Sequence, residues 1–136
     1  MKLEYKILNE YHTVAIVGAS PDPERPSNIV FRYLSEHGYH VIPVNPQALV
    51  ILGKHSYPDL SSIPEKVEVV DIFRSSGEVA PIVDEAIKIG AKVVWMQEGV
   101  INKEAAAKAR DAGLLVVMDK CMREQHMTLM NKRLNQ

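Results

Sequence analysis

The feature that most constrains this chain is an alternation that runs from one end to the other. Short runs of β-branched and small apolar residues take turns with apolar residues at helical spacing. Val14–Val17, Val41–Val44, Val67–Phe73, Val93–Met96 and Leu115–Met118 read as strands. Runs this apolar suit strands covered on both faces. Between them, Val30, Tyr33, Leu34 and His37 recur at i, i+3, i+4 and i+7, one stripe of a helix. Val79, Ile82, Val83, Ala86 and Ile87 form a second stripe, and an Ala-rich segment capped by Asn102 (Ala105, Ala106, Ala109, Ala112) forms a third. Gly38, Gly90 and Gly113 stand where helices end. Strands and helices in strict alternation predict a parallel sheet with helices on both faces. Right-handed crossovers and short loops narrow this to an α/β fold. The expectation is a doubly wound, Rossmann-like sheet of five or six strands, with the chain reversing direction across the sheet beside strand one.

Some stretches are less regular. Pro43 removes a ladder donor from the second strand. Between Pro46 and Lys66, Ile51-Leu52 reads as a short edge strand and Ser56-Tyr57-Pro58 as a turn after it. Ser75-x-x-Glu78 reads as a capping box. Pro81 would then lie past the first turn, which favours a helix start two or three residues later. Leu3, Ile7 and Tyr11 predict a short helix before the first strand, and Met122, His126, Met130 and Leu134 predict a last one.

With 136 residues and no repeat, low-complexity tract or linker, the chain is expected to form one domain, 1–136. Its apolar runs fall far short of the roughly 20 residues a membrane-spanning helix needs. The first residues lack the apolar core of a secretory signal. Sixteen basic residues face seventeen acidic ones, so no whole-protein field draws nucleic acid or an anionic membrane. The single cysteine, Cys121, has no internal disulfide partner, and with the absent signal this points to the cytoplasm.

The residues that do not suit a core gather after the strands: Gly18-Ala19-Ser20, Asn45-Pro46, Phe73-Arg74, Gln97-Glu98-Gly99 and Asp119-Lys120-Cys121. In a parallel sheet these positions share the carboxyl edge, where ligands of open α/β sheets bind. The Gly18–Ser27 loop has the elements of a phosphate cradle. A glycine lets the backbone approach a ligand, and a helix N-terminus near Ser27 offers free N–H groups. Ser20 and Ser27 add hydroxyls, and Arg25 adds charge. The competing reading is a tight turn with Ser27 as a plain N-cap. Arg74 is either a bidentate phosphate ligand or a surface arginine paired with an acid. Phe73 packs on a ligand or in the core, and Trp95 reads as core. Cys121 is a small buried hydrophobe or a thiol that meets a ligand thiol. Gly18, Ser20 and Pro23 occupy the positions of a Gly-x-Gly-x-x-Gly fingerprint, and Asn45 stands where an acid would hold a ribose; both argue against NAD. The five histidines lack zinc-ligand spacing. There is no P-loop and no Ser-His-Asp signature.

Several blocks together carry a resemblance. These are Val17-Gly18-Ala19-Ser20, Arg25-Pro26-Ser27, Gly38 to Pro46, Val70-Asp71-Ile72-Phe73-Arg74, Trp95 to Val100 and Val117-Met118-Asp119-Lys120-Cys121. In order and spacing they resemble the single-domain CoA-binding proteins, and the fold is similar to the CoA-binding domain of succinyl-CoA synthetase α subunits and acyl-CoA synthetases. Lys120 departs from the family pattern, which places Arg before the cysteine. The resemblance implies coenzyme A or an acyl-CoA as ligand. It implies that Gly18, Ala19, Ser20, Arg25 and Ser27 hold the pyrophosphate and that Asn45 and Pro46 border the adenosine half. Phe73, Arg74, Gln97 and Gly99 would line the rest of the crevice. The chain has no room for the phosphohistidine and ATP-grasp domains of the synthetases, so a binder without catalysis of its own is expected: a carrier, a sensor or a thiol-protecting protein. The alternatives are an NAD(P)-binding redox protein and a non-catalytic interaction subunit that docks a partner, or a second copy, through its last helix.

Overall fold

The computed structural model describes residues 1–135. A short helix α1 (Leu3–Glu10) precedes β1 (Thr13–Val17). Then follow α2 (Pro26–Glu36), β2 (His40–Val44), the two-residue strands β3 (Val50–Ile51) and β4 (Lys54–His55), β5 (Val69–Ile72), α3 (Val79–Lys88), β6 (Val93–Met96), α4 (Lys103–Asp111), β7 (Leu115–Val117) and α5 (Met122–Leu134). Five strands form one sheet in the order β2-β1-β5-β6-β7. Every pair in it is parallel. The chain moves outward from β1 to β2, then recrosses to β5 on the other side of β1. The switch point therefore falls between β1 and β5, beside strand one as the sequence predicts.

Strand alternation sorts the core into two layers. Ala15, Val17, Ile42, Val70, Ile72, Val94 and Met96 face α3 and α4, whose Val79, Val83, Ala105, Ala106 and Ala109 are buried. The small alanines let α4 lie close to the sheet. Val14, Ile16, Val41, Val69, Val93 and Trp95 face α1, α2 and α5. Trp95 is fully buried, and its indole N–H donates to the Lys120 carbonyl at 2.8 Å. That satisfies the one polar atom of a core tryptophan.

Four local expectations change. Ile51-Leu52 is not an edge strand of the main sheet. Val50–Ile51 pairs antiparallel with Lys54–His55 in a separate ribbon, and Leu52 sits in its turn at φ 49°. Tyr57 bonds instead to β2, donating its N–H to Pro43 at 3.0 Å and accepting from Asn45 at 2.9 Å. Pro43 is tolerated because β2 is the outer strand of the sheet. The Pro43 carbonyl and the missing N–H both face away from β1. The Ser75 hydroxyl makes no cap bond to a backbone N–H, as a full capping box would need, and donates instead to the Glu78 carboxylate at 2.6 Å. A tight 3-10 turn, Ser76–Glu78, precedes α3 and puts Pro81 in the first turn of that helix, where no N–H is needed. Finally, Leu134 is 82% exposed. The inner face of α5 is Met122, His126 and Leu129, with Met130 packed at its margin.

Candidate functional site at the carboxyl edge

β1 is followed directly by Gly18 at φ +89°, whose N–H donates to the Val44 carbonyl at 3.0 Å. A Cβ here would lie 3.1 Å from the Phe73 carbonyl oxygen and 3.0 Å from Arg74 Cδ. The turn therefore passes so close to the end of β5 that only glycine fits. Two asparagines then hold the loop from beneath. Asn45 at the end of β2 donates to the Ala19 carbonyl at 2.8 Å and accepts from the Gln47 N–H at 2.8 Å. Asn28 donates to the Ser20 carbonyl at 2.9 Å and accepts from Arg32 at 2.8 Å. Arg32 in turn reaches the Pro23 carbonyl at 3.0 Å. The loop is thus preorganised by two asparagine side chains, of which Asn45 also lines the crevice.

α2 starts differently from expectation. Arg25 is its N-cap residue and Pro26 its first helical residue, so Ser27 is not the N-cap; it is buried in the first turn. Gly18, Ala19, Ser20, Arg25, Ser27, Asn45, Phe73 and Arg74 line one hollow of about 390 Å³. Arg25 has no acidic partner within ion-pair distance among the described residues. Arg74 does: Glu78 accepts from its Nε at 3.2 Å and from a terminal nitrogen at 2.6 Å. Of its two readings, the acid pair is formed here, and the same side chain lines the hollow.

This hollow has neighbours on both sides. Toward β2, a space of about 530 Å³ shares Gly18, Asn45 and Arg74 with it and adds Pro46, Asp59 and Glu85. Toward β6 and β7, a mainly apolar space of about 390 Å³ shares Pro26 and Phe73 and adds Val30, Gln97, Val100, Cys121 and Arg123. Eleven of the twelve residues that the sequence singles out therefore border one connected groove. Gly99 does not. Its N–H is taken by Asp119 at 2.7 Å, in a turn that puts Asp119 at φ 61°.

The floor beside Cys121 holds a group that sequence reasoning missed. Asp71 lies in β5 in register with Ile16 and Trp95 and is fully buried. Gln97 donates to its Oδ1 at 2.5 Å, while Oδ2 has no partner. Burial pushes its pKa up to about 8, against a smaller lowering by Gln97, so the group is a neutral acid at pH 7. The available signal was an acid inside an otherwise apolar strand. Gln97 is the residue that answers it. Burial also raises the pKa of Cys121, and the backbone N–H groups at the start of α5 only partly oppose this. Asn28 gave no signal in the sequence, since its role depends on a loop it touches only after folding.

A parallel sheet with its switch point at a glycine turn and a groove across its carboxyl edge places the chain among the doubly wound, Rossmann-like α/β proteins. Within that class, this chain belongs to the CoA binding domain family, which matches residues 12–127. It is 34% identical over 126 residues to the Bacillus subtilis (strain 168) protein YneT, covering 92% of this chain and 93% of YneT. It is similar to a solved structure described as a hypothetical protein from Pyrococcus horikoshii OT3, with 49% identity and a TM-score of 0.91 over 93% of this chain and 89% of that one. It also matches the ADP-forming acetate–CoA ligase I of Archaeoglobus fulgidus at 28% identity, over 80% of this chain but 17% of the ligase. No helix among the described residues is long and apolar enough to cross a membrane.

Proposed function

We propose that this chain binds coenzyme A, or an acyl-CoA, along the carboxyl-edge groove without catalysis of its own, as a carrier, sensor or thiol-protecting protein of the cytoplasm. The observation that carries this reading is the sequence of three hollows with shared walls. Coenzyme A has about four negative charges near neutral pH, mostly on phosphates, and a long, weakly polar arm. The middle hollow suits the pyrophosphate: a close-approaching glycine, the start of α2, and Arg25 with its charge uncommitted. The hollow beside Asn45 and Pro46 suits the adenosine half. The apolar hollow suits the pantetheine arm, which ends in a thiol, and Cys121 stands in its wall.

Cys121 is accordingly our candidate for a mixed disulfide with the ligand. Exchange with oxidised coenzyme A forms one new disulfide and releases one coenzyme A thiol. Because burial holds the Cys121 thiol protonated, this exchange is slow at neutral pH and speeds up as pH rises. The interaction-subunit reading is less favoured, since Met122 and much of the apolar face of α5 are spent on this chain's own core.

Calorimetric titration with coenzyme A, 3′-dephospho-CoA and NADH tests the reading. Saturable binding of coenzyme A, tighter than NADH, is expected; no binding of coenzyme A overturns it. Intact mass after exposure to oxidised coenzyme A tests the thiol. An adduct of one coenzyme A, removed by dithiothreitol and absent in Cys121→Ser, is the expected result.

A further inference from the structure

A second polar hollow opens at the opposite, amino edge of the sheet, where α1 and α2 end against α5. It encloses about 350 Å³. Its polar lining is Asn9, His12, His37, Tyr39, His126 and Arg133, over an apolar floor from α1 and α5. Three of the five histidines, far apart in sequence, meet here because His12 and Tyr39 immediately precede the paired starts of β1 and β2.

The rings are held in place rather than loosely gathered. His37 Nδ1 lies 2.7 Å from the Tyr33 carbonyl. A carbonyl only accepts, so that nitrogen carries the proton. His126 Nδ1 lies 2.7 Å from the Tyr33 hydroxyl. The His37 and His126 rings meet at 5.3 Å, His126 meets Tyr39 edge-on at 5.7 Å, and His12 stacks on Tyr39 at 5.1 Å. With Nδ1 engaged, Nε2 of His37 and of His126 has no hydrogen-bond partner among the described residues. Arg133 donates to Asn9 Oδ1 and has no acidic partner within ion-pair distance among the described residues.

No aspartate or glutamate lines this hollow. No group of three or more His, Cys, Asp or Glu among the described residues is arranged to hold a metal. Arg133 supplies the positive charge of this lining, and His37, with its proton on Nδ1, donates from Nε2 to an anion only as the imidazolium; with the apolar floor this is the complement of an anion on a hydrocarbon or aromatic body.

We infer that the hollow bounded by His12, His37, His126 and Arg133 is a second ligand site, specific for a small organic anion whose carboxylate or phosphate meets Arg133 and the imidazoles. It is independent of the carboxyl-edge groove, because the two lie at opposite edges of the sheet and share no lining residue.

The five histidines provide the test. Their ring protons can be followed by NMR while benzoate, phenyl phosphate or inorganic phosphate is added. The expected result is saturable movement of His12, His37 and His126 with either aromatic anion, while His40 and His55, outside the hollow, stay still. The stronger of the two aromatic probes identifies the preferred headgroup, and weaker binding of inorganic phosphate supports the need for an apolar body. Arg133→Gln is expected to weaken binding about tenfold, and His37→Gln to weaken it in the same direction. Both sites are exposed, so both variants should keep the parent melting temperature. All five histidines moving together, no saturation with any probe, or parental affinity in both variants overturns the inference.

Discussion

Replacing Gly18 by alanine tests the geometry on which the whole groove depends. Two separate costs follow from the structure. At φ +89° an L side chain is strained, by about 1–2 kcal/mol. The new Cβ would also meet the Phe73 carbonyl carbon at 3.2 Å and its oxygen at 3.1 Å. Arg74 Cδ can swing aside, but the Phe73 backbone cannot easily do so, because its N–H is bonded to Val17 at 2.9 Å in the β1–β5 ladder. Overpacking of that kind adds about 1–3 kcal/mol. The sum, about 3 kcal/mol, corresponds to a fall in melting temperature of about 10 °C for a chain of this size. Gly113→Ala is the matched control. Its φ is +91° and nothing lies within 4 Å of its Cβ position, so it incurs only the conformational cost. That is about 1–2 kcal/mol, or about 3–7 °C. Thermal melts followed by circular dichroism, with urea titrations to check that the slope is unchanged, separate the two. Equal losses in Gly18→Ala and Gly113→Ala would refute the close approach of β1 to the end of β5.

Charge in the groove gives a second prediction. Arg25→Ala is expected to weaken coenzyme A binding about tenfold, whereas Glu78→Gln, which releases Arg74 from its carboxylate, is expected to tighten it about threefold; calorimetry reads both. Asp71 gives a third. Its folded pKa, about 8, is raised above the unfolded value, so the folded state holds an extra proton between about pH 4 and pH 8 and loses stability as pH rises through that window. Asp71→Asn keeps the Gln97 bond to Oδ1, and its stability advantage should grow from pH 4 to pH 8. A pH-independent difference in melting temperature would contradict the assignment. His126 has the opposite sign. Burial, then His37 and Arg133, lower its pKa, so the unfolded chain binds more protons below about pH 6.5 and stability falls with acidification there. His126→Gln should flatten that part of the stability profile.

The sequence by itself determined the layers, the strand–helix order and the edge at which polar residues collect. Those properties are local: a β-branched run such as Val14–Val17 or an Ala-rich stripe such as Ala105–Ala109 declares its period and its buried face without reference to distant residues. Eleven of the twelve residues the sequence singles out border the groove, because the end of a parallel strand is a position that can be read along the chain. Tertiary structure alone decided the partners. Arg74 could be seen as a cation at the right edge, but whether it faced solvent, phosphate or Glu78 depended on how the turn before α3 folded. Gly99 sat at the right strand end and was still withdrawn by Asp119 from the far side of β7. Asn28 beneath the Ser20 loop, the neutral Asp71 under Cys121, and three histidines brought to one hollow from residues 12, 37 and 126 have no period to betray them. Hydrogen bonding and desolvation act over a few ångströms in space, and only the fold sets which residues those ångströms join.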